Sequence, residues 1–172
     1  MTASSLSSDA TACDAVRHLV ATLAYRAAKV LREVPPGFAT VSFGDSSRRP
    51  VQIVAHMADL IAWGVTLARG EYVWKAEGSD EWSVEVGRFF ANLEALDREL
   101  ARAAPSAALD KVIQGPLADA LTHVGQLAML RGMAGSPVRP ESYARAEIVI
   151  GRVGPQQASP GREFDGDASV RR

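Results

Sequence analysis

Cysteine is nearly missing from this chain: Cys13 stands alone among 172 residues. A single thiol closes no intrachain disulfide, so a reducing compartment is expected and the chain reads as cytoplasmic. Cys13 lies in a polar stretch with no base-bearing motif beside it, and it reads as an exposed or helix-packed thiol rather than a nucleophile. A basic excess is missing as well, since 19 Lys and Arg face 20 Asp and Glu for a net charge of -1. Arg48-Arg49 and the two C-terminal arginines are pairs and not a polybasic tract, which argues against a nucleic-acid partner. The start, "MTASSLSSDATACD", has neither a basic nor an apolar leader region and reads as no signal peptide. No apolar run reads as long enough to span a membrane. Gly-rich phosphate loops, serine nucleophile elbows and glycosidase-type carboxylate pairs are absent, and no internal repeat is visible.

What the chain does have is helical periodicity, in four segments. From about Asp9 to Val34, Val16, Leu19, Val20, Leu23, Ala27, Val30 and Leu31 recur at spacings of three and four, until "VPPG" stops the pattern. His18, Thr22 and Tyr25 fall on the polar side of that segment. A second helix is expected from Pro50 to about Ala68, with Gly70 just past its end. Its broad apolar face (Val51, Val54, Ala58, Ile61 and Val65, widened by Ile53, Met57 and Leu60) marks it as mostly buried. In the third, Trp82, Val86, Phe89, Leu93, Leu96 and Leu100 form a bundle seam, with Glu85, Arg88, Glu94, Arg98 and Glu99 around it and Ser79 or Asp80 available as a cap. "AAPSAALDKVIQGP" breaks the period, and a fourth helix is expected from Pro116 to Ala134, closed by Gly135.

After it, a short helix is expected from Glu141, then a β-like run from Ile148 to Ile150. Residues 151–172, rich in Pro, Gly, Ser and charge, are expected to form an extended or frayed tail. The expectation is an all-α four-helix bundle domain over residues 1–150. The connection "GEYVWKAEGSDE" is long for a hairpin and points to a crossover between the second and third helices.

His56 sits in the apolar segment "RRPVQIVAHMADLIAWG", where leucine would pack better. In "LADALTHVGQLAML", Asp119 and His123 are four residues apart, about 40° in azimuth and one turn in height, so both lie on one helix face. Helices in a bundle pack at about 8–10 Å between axes, so ligands from two of them can meet at one ion. His56, Asp119 and His123 then form a two-histidine, one-carboxylate set with open positions, suited to zinc, nickel, iron or manganese. The competing reading is a core imidazole bonded to Asp59, one turn on, beside an ordinary surface pair of Asp119 and His123. Gln126 shares the His123 side, Trp63 shares the azimuth of His56, and Tyr72 and Trp74 lie on the long connection. Gly125 would suit a close helix approach.

These two segments carry a resemblance. "RRPVQIVAHMADLIAWG" resembles the second helix of the DinB-like superfamily, a Pro-opened segment with that family's first metal histidine. "THVGQLAMLRGMAGSPV" resembles its fourth helix, a histidine before x-Gly-Gln, then an apolar run and Leu-Arg. The likeness covers about Val16 to Ile150. It implies a four-helix bundle, His56 as first ligand, His123 as last, Gln126 in support, and a homodimer. The family's middle ligand is usually a histidine four residues before the last, where this chain has Asp119. Carboxylate can replace imidazole on a divalent cation, with added negative charge. The resemblance implies a transferase in which the metal activates a low-molecular-weight thiol toward a small electrophile. A metal-assisted hydrolase would use the same residues. The other class open to this sequence is a non-enzymatic, stress-associated dimeric bundle or small-ligand binder without metal.

Overall fold

The computed structural model describes residues 3–45, 47–102 and 108–164, and among them it contains helices, turns and no strand. The first helix, α1, is Ala3–Leu31. Its stripe is buried at Val16, Val20, Leu23, Ala27, Val30 and Leu31. It ends three residues before the sequence pattern does, where Glu33 turns left-handed (φ 51°) ahead of Pro35. A 3-10 turn, Phe38–Thr40, then buries Phe38 edge-on against Trp82, ring centres 5.9 Å apart.

The second helix, α2 (Pro50–Ala68), opens on Pro50, and the Gln52 side chain accepts the Arg49 backbone N–H at 2.9 Å. Gly70 (φ 80°) closes it, with the next N–H returning to Thr66. All eight residues of the expected apolar face are buried. By length and composition α2 could cross a membrane, contrary to the sequence expectation, yet 67% of that window is buried inside the bundle. The apolar surface is used by neighbouring helices.

The third helix, α3, is Trp82–Arg102. Arg49 pairs with Asp80 at the start of α2, Asn92 donates to the Ala58 carbonyl midway, and Arg69 pairs with Glu99 at its end. The two helices are therefore parallel. Returning the chain along 19 residues of helix means covering about 28 Å, which the connection between Arg69 and Glu81 spans easily when extended. The expected crossover is present. Among the main helices, α1 and α2 each pack on α3, and both also pack on the fourth rod.

That rod begins earlier than the expected Pro116. It consists of α4 (Leu109–Val112), a π turn (Ile113–Leu117) and α5 (Ala118–Met133). Pro116 has no N–H for a ladder, and the wider turn accommodates it. Val112 and Leu117, five residues apart, are both fully buried, which is the spacing a π turn brings to one face. Gly135 (φ 75°) ends α5, and the Ser136 N–H bonds the Arg131 carbonyl. The Arg131 guanidinium is buried and bonds the carbonyls of Val30, Arg32 and Glu33, tying the end of α5 to the end of α1.

Several sequence expectations need correction. Glu85 is buried and not solvent-facing, because Ser79 and Arg88 supply its partners. Tyr25 leaves the polar side and is buried, donating to Glu141 Oε1 at 2.6 Å. The short helix from Glu141 is only a 3-10 turn, Tyr143–Arg145, and the run from Ile148 to Ile150 is irregular. Residues 151–164 carry turns and no helix, and they touch the bundle at points. Val153 enters the core, Glu163 bridges to Glu141, and Lys29 pairs with both glutamates at 2.7–2.8 Å. Residues 165–172 of the expected tail lie outside the described residues.

Candidate metal centre

His56 is on the second turn of α2, and Asp119 and His123 are on the first two turns of α5. The π turn preceding α5 is what aims the last two. One extra residue per turn rotates everything after it by about 100° relative to an unbroken α-helix. The same turn brings α2 and the rod close together. A Cβ on Gly64 would lie 3.3 Å from Pro116 Cγ, and one on Gly115 would lie 3.1 Å from the Trp63 ring. Close approach is thus made at Gly64 and Gly115. Gly125, the sequence candidate for it, faces open space.

The three expected residues converge. Asp119 Oδ2 lies 3.5 Å from His56 Nε2, and its Oδ1 lies 3.4 Å from His123 Nε2. The two imidazoles meet edge to face with centres 5.0 Å apart. One ligand atom from each residue lies within 4.8 Å of the others. Charge-assisted N–H···O contacts close to about 2.7–2.9 Å, and these two are longer. A tetrahedral ion with bonds of about 2.1 Å separates neighbouring ligand atoms by roughly 3.4 Å; each imidazole lies at that distance from one Asp119 oxygen, and a full set of three atoms spans up to 4.8 Å.

Hydrogen bonding sharpens the point. Gln126 Oε1 is 2.7 Å from His123 Nδ1 and accepts its N–H. In the neutral ring that leaves the lone pair on Nε2, aimed at a carboxylate oxygen. Two electron-rich atoms facing each other are bridged by a positive charge, a metal ion or a proton on the ring. His56 is poised in the same sense. Burial, then the charge of Arg48 and the neighbouring His123, lower its pKa from the ordinary 6.5 despite the opposing pull of Asp119, so near neutral pH it offers a lone pair. The competing partner, Asp59, accepts on Oδ1 from Arg88 Nη1 at 2.6 Å and from the Glu77 N–H at 3.2 Å, and the carboxylate that His56 meets is Asp119. The donor set of two imidazoles and one carboxylate fits a borderline divalent cation. Burial is graded: the His123 side chain is 9% exposed, His56 23% and Asp119 47%, so the centre opens on its carboxylate side.

The crossover forms one wall. Trp74 packs edge-on against His56 and also meets Trp63, both at 5.9 Å, and Tyr72 meets Trp63 at 5.4 Å. Trp74 therefore reaches the centre directly, while Trp63 stands behind it. His18 is exposed on α1 and takes no part in the set. Sequence reasoning missed Arg88, whose guanidinium joins Asp59 on α2, Glu85 on α3 and the Ala55 carbonyl at 2.6–3.0 Å. Glu85 in turn accepts both the backbone N–H and the hydroxyl of Ser79. This cluster pins the returning crossover next to His56. Its signal in the sequence was slight: an Asp within a buried helix needs a cation, and Arg88 is the one supplied.

Two cavities flank the centre. One, about 440 Å³, lies under the crossover and is lined by Arg48, Gln52, His56, Asp59, Ser79 and Asp80. The other, about 360 Å³, lies along α5 and is lined by Arg48, Ile53, His123, Gln126, Met129 and Leu130. Sequence reasoning saw in Arg48 only half of a basic pair, whereas it borders both. No family model matches the chain, and neither does any curated protein or solved structure.

Proposed function

We propose that the chain is a divalent-metal protein of the DinB-like kind, cytoplasmic and homodimeric. In this reading it is a transferase joining a low-molecular-weight thiol to a small electrophile. The observation that carries it is the convergence of His56, Asp119 and His123 from two helices, with Gln126 directing the lone pair of His123 inward. Those three side chains would hold zinc, nickel, iron or manganese. Such a cation depresses the pKa of a bound thiol or water and so supplies a nucleophile at neutral pH. The protein's own residues do the rest. His56 and His123 border one cavity each, giving two reactants separate approaches to one centre. Trp74, backed by Trp63, packs edge-on on His56 and walls that side of the centre. Cys13, on α1, is not among the ligands, and no protein nucleophile is required.

The test is elemental analysis of protein purified without a metal-affinity tag, together with His123→Ala. Near-stoichiometric divalent metal, lost in the variant, is the expected result. Metal-free protein whose stability is unchanged in the variant would instead assign the chain to the non-enzymatic class, a stress-associated dimer or small-ligand binder. Bound metal with no thiol-dependent turnover would leave hydrolysis as the use of the same ligands.

A further inference from the structure

One cation beside the centre has no ion-pair partner among the described residues, and its position identifies a ligand class. In the cavity under the crossover, both lining carboxylates already have a guanidinium partner, although Asp59 shares Arg88 with Glu85. Asp59 is paired with Arg88 at 2.6 Å and Asp80 with Arg49 at 3.0 Å. Arg48 makes no ion pair among the described residues, yet it lines this cavity and the one along α5. A divalent cation held by one carboxylate and two neutral imidazoles keeps a net charge of +1. Arg48 adds a second positive charge at the mouth of the same site, while Asp59 and Asp80, the acids lining the cavity, have guanidinium partners of their own. Such a pairing of cation and guanidinium favours an anion with two attachment points.

We infer that Arg48 recognises a carboxylate on the ligand of this centre. The ligand is a small molecule with a carboxylate at one end, seated on the guanidinium, and a metal-directed donor at the other. The cavity under the crossover receives it, because Gln52 and Ser79 add hydrogen-bonding groups beside Arg48 and His56. The cavity along α5, with Ile53, Met129 and Leu130, is left for a more apolar second reactant. This inference rests on the metal reading above and adds to it the charge that the site selects.

The experiment uses the full chain loaded with cobalt(II), titrated with 3-mercaptopropionate and with 2-mercaptoethanol. Binding is followed by the thiolate-to-cobalt absorption band. The two probes share the thiol and differ in the carboxylate. The expected result is a preference of roughly tenfold for 3-mercaptopropionate, the size of one charge-assisted contact at a partly open site. In Arg48→Gln that preference disappears, so that the ratio of the two affinities falls to about one, while cobalt is still taken up and 2-mercaptoethanol still binds. Arg48→Lys keeps part of it. Equal binding of the two thiols by the wild type, or a preference that survives in Arg48→Gln, overturns the inference and leaves the metal centre standing. A chain that takes up no cobalt refutes the metal centre, and the inference with it.

Discussion

Replacing Gln126 with leucine isolates the hydrogen-bonding argument at the centre. The side chain is largely exposed and touches the ligand set only through its 2.7 Å contact with His123 Nδ1. Leucine keeps the bulk and removes the acceptor, so nothing then prefers the tautomer whose Nε2 lone pair faces Asp119. Loss of such a supporting contact typically weakens metal affinity about 10–100-fold, which corresponds to roughly 1.4–2.7 kcal/mol. The apo protein should be almost untouched, within about 0.5 kcal/mol, as for other surface substitutions. Competition for zinc against a chromogenic chelator measures the first quantity, and urea unfolding of metal-free protein measures the second. Gln126→Glu retains an acceptor and should keep or tighten binding. An affinity for Gln126→Leu within about twofold of wild type, a small fraction of the loss such contacts carry, would refute the tautomer argument.

Zinc added at about 100 times its Kd should stabilise the fold by about 2.7 kcal/mol. For a domain of this size that is a rise of roughly 5–11 °C in Tm, and Asp119→Ala should abolish it in a thermal melt. Arg88→Ala leaves Glu85 and Asp59 buried without their cation, and should cost about 3 kcal/mol in urea unfolding. The same cluster sets an acid limit. Burial pushes the Glu85 carboxyl up, but bonds from Ser79 and Arg88 outweigh it and hold the pKa below the ordinary 4.5. A carboxylate with a depressed folded pKa contributes stability in full above its unfolded value and loses it as pH falls through the folded one. Urea midpoints should therefore fall below about pH 4.5, and less steeply in Glu85→Gln.

Where apolar spacing decides the outcome, the fold was legible. The α3 seam is buried at Phe89, Leu93, Leu96 and Leu100 because residues at those intervals can only point inward together. The crossover was legible from loop length alone. Exceptions arise where polar groups find partners distant in sequence. Tyr25 and Lys29 are buried because Glu141 and Glu163 return to meet them, and no helical period encodes a partner more than a hundred residues away. The π turn escaped for a related reason. Pro116 reads as a helix start when only the i→i+4 ladder is considered, and the wider turn leaves no apolar signature of its own. Within the centre, His56, Asp119 and His123 could be chosen because an imidazole on a buried face is costly unless something pairs with it. Arg48 could not, since an exposed arginine beside a helix start looks like any other until two cavities are seen to share it.

Crystals grown with zinc and measured at and below its absorption edge test the account most directly. The prediction is one anomalous peak about 2.0–2.2 Å from His56 Nε2, His123 Nε2 and an Asp119 carboxylate oxygen, with Gln126 still bonded to His123 Nδ1. Zinc-supplemented crystals with no peak among those side chains, or with the two imidazoles turned away from Asp119, would contradict it.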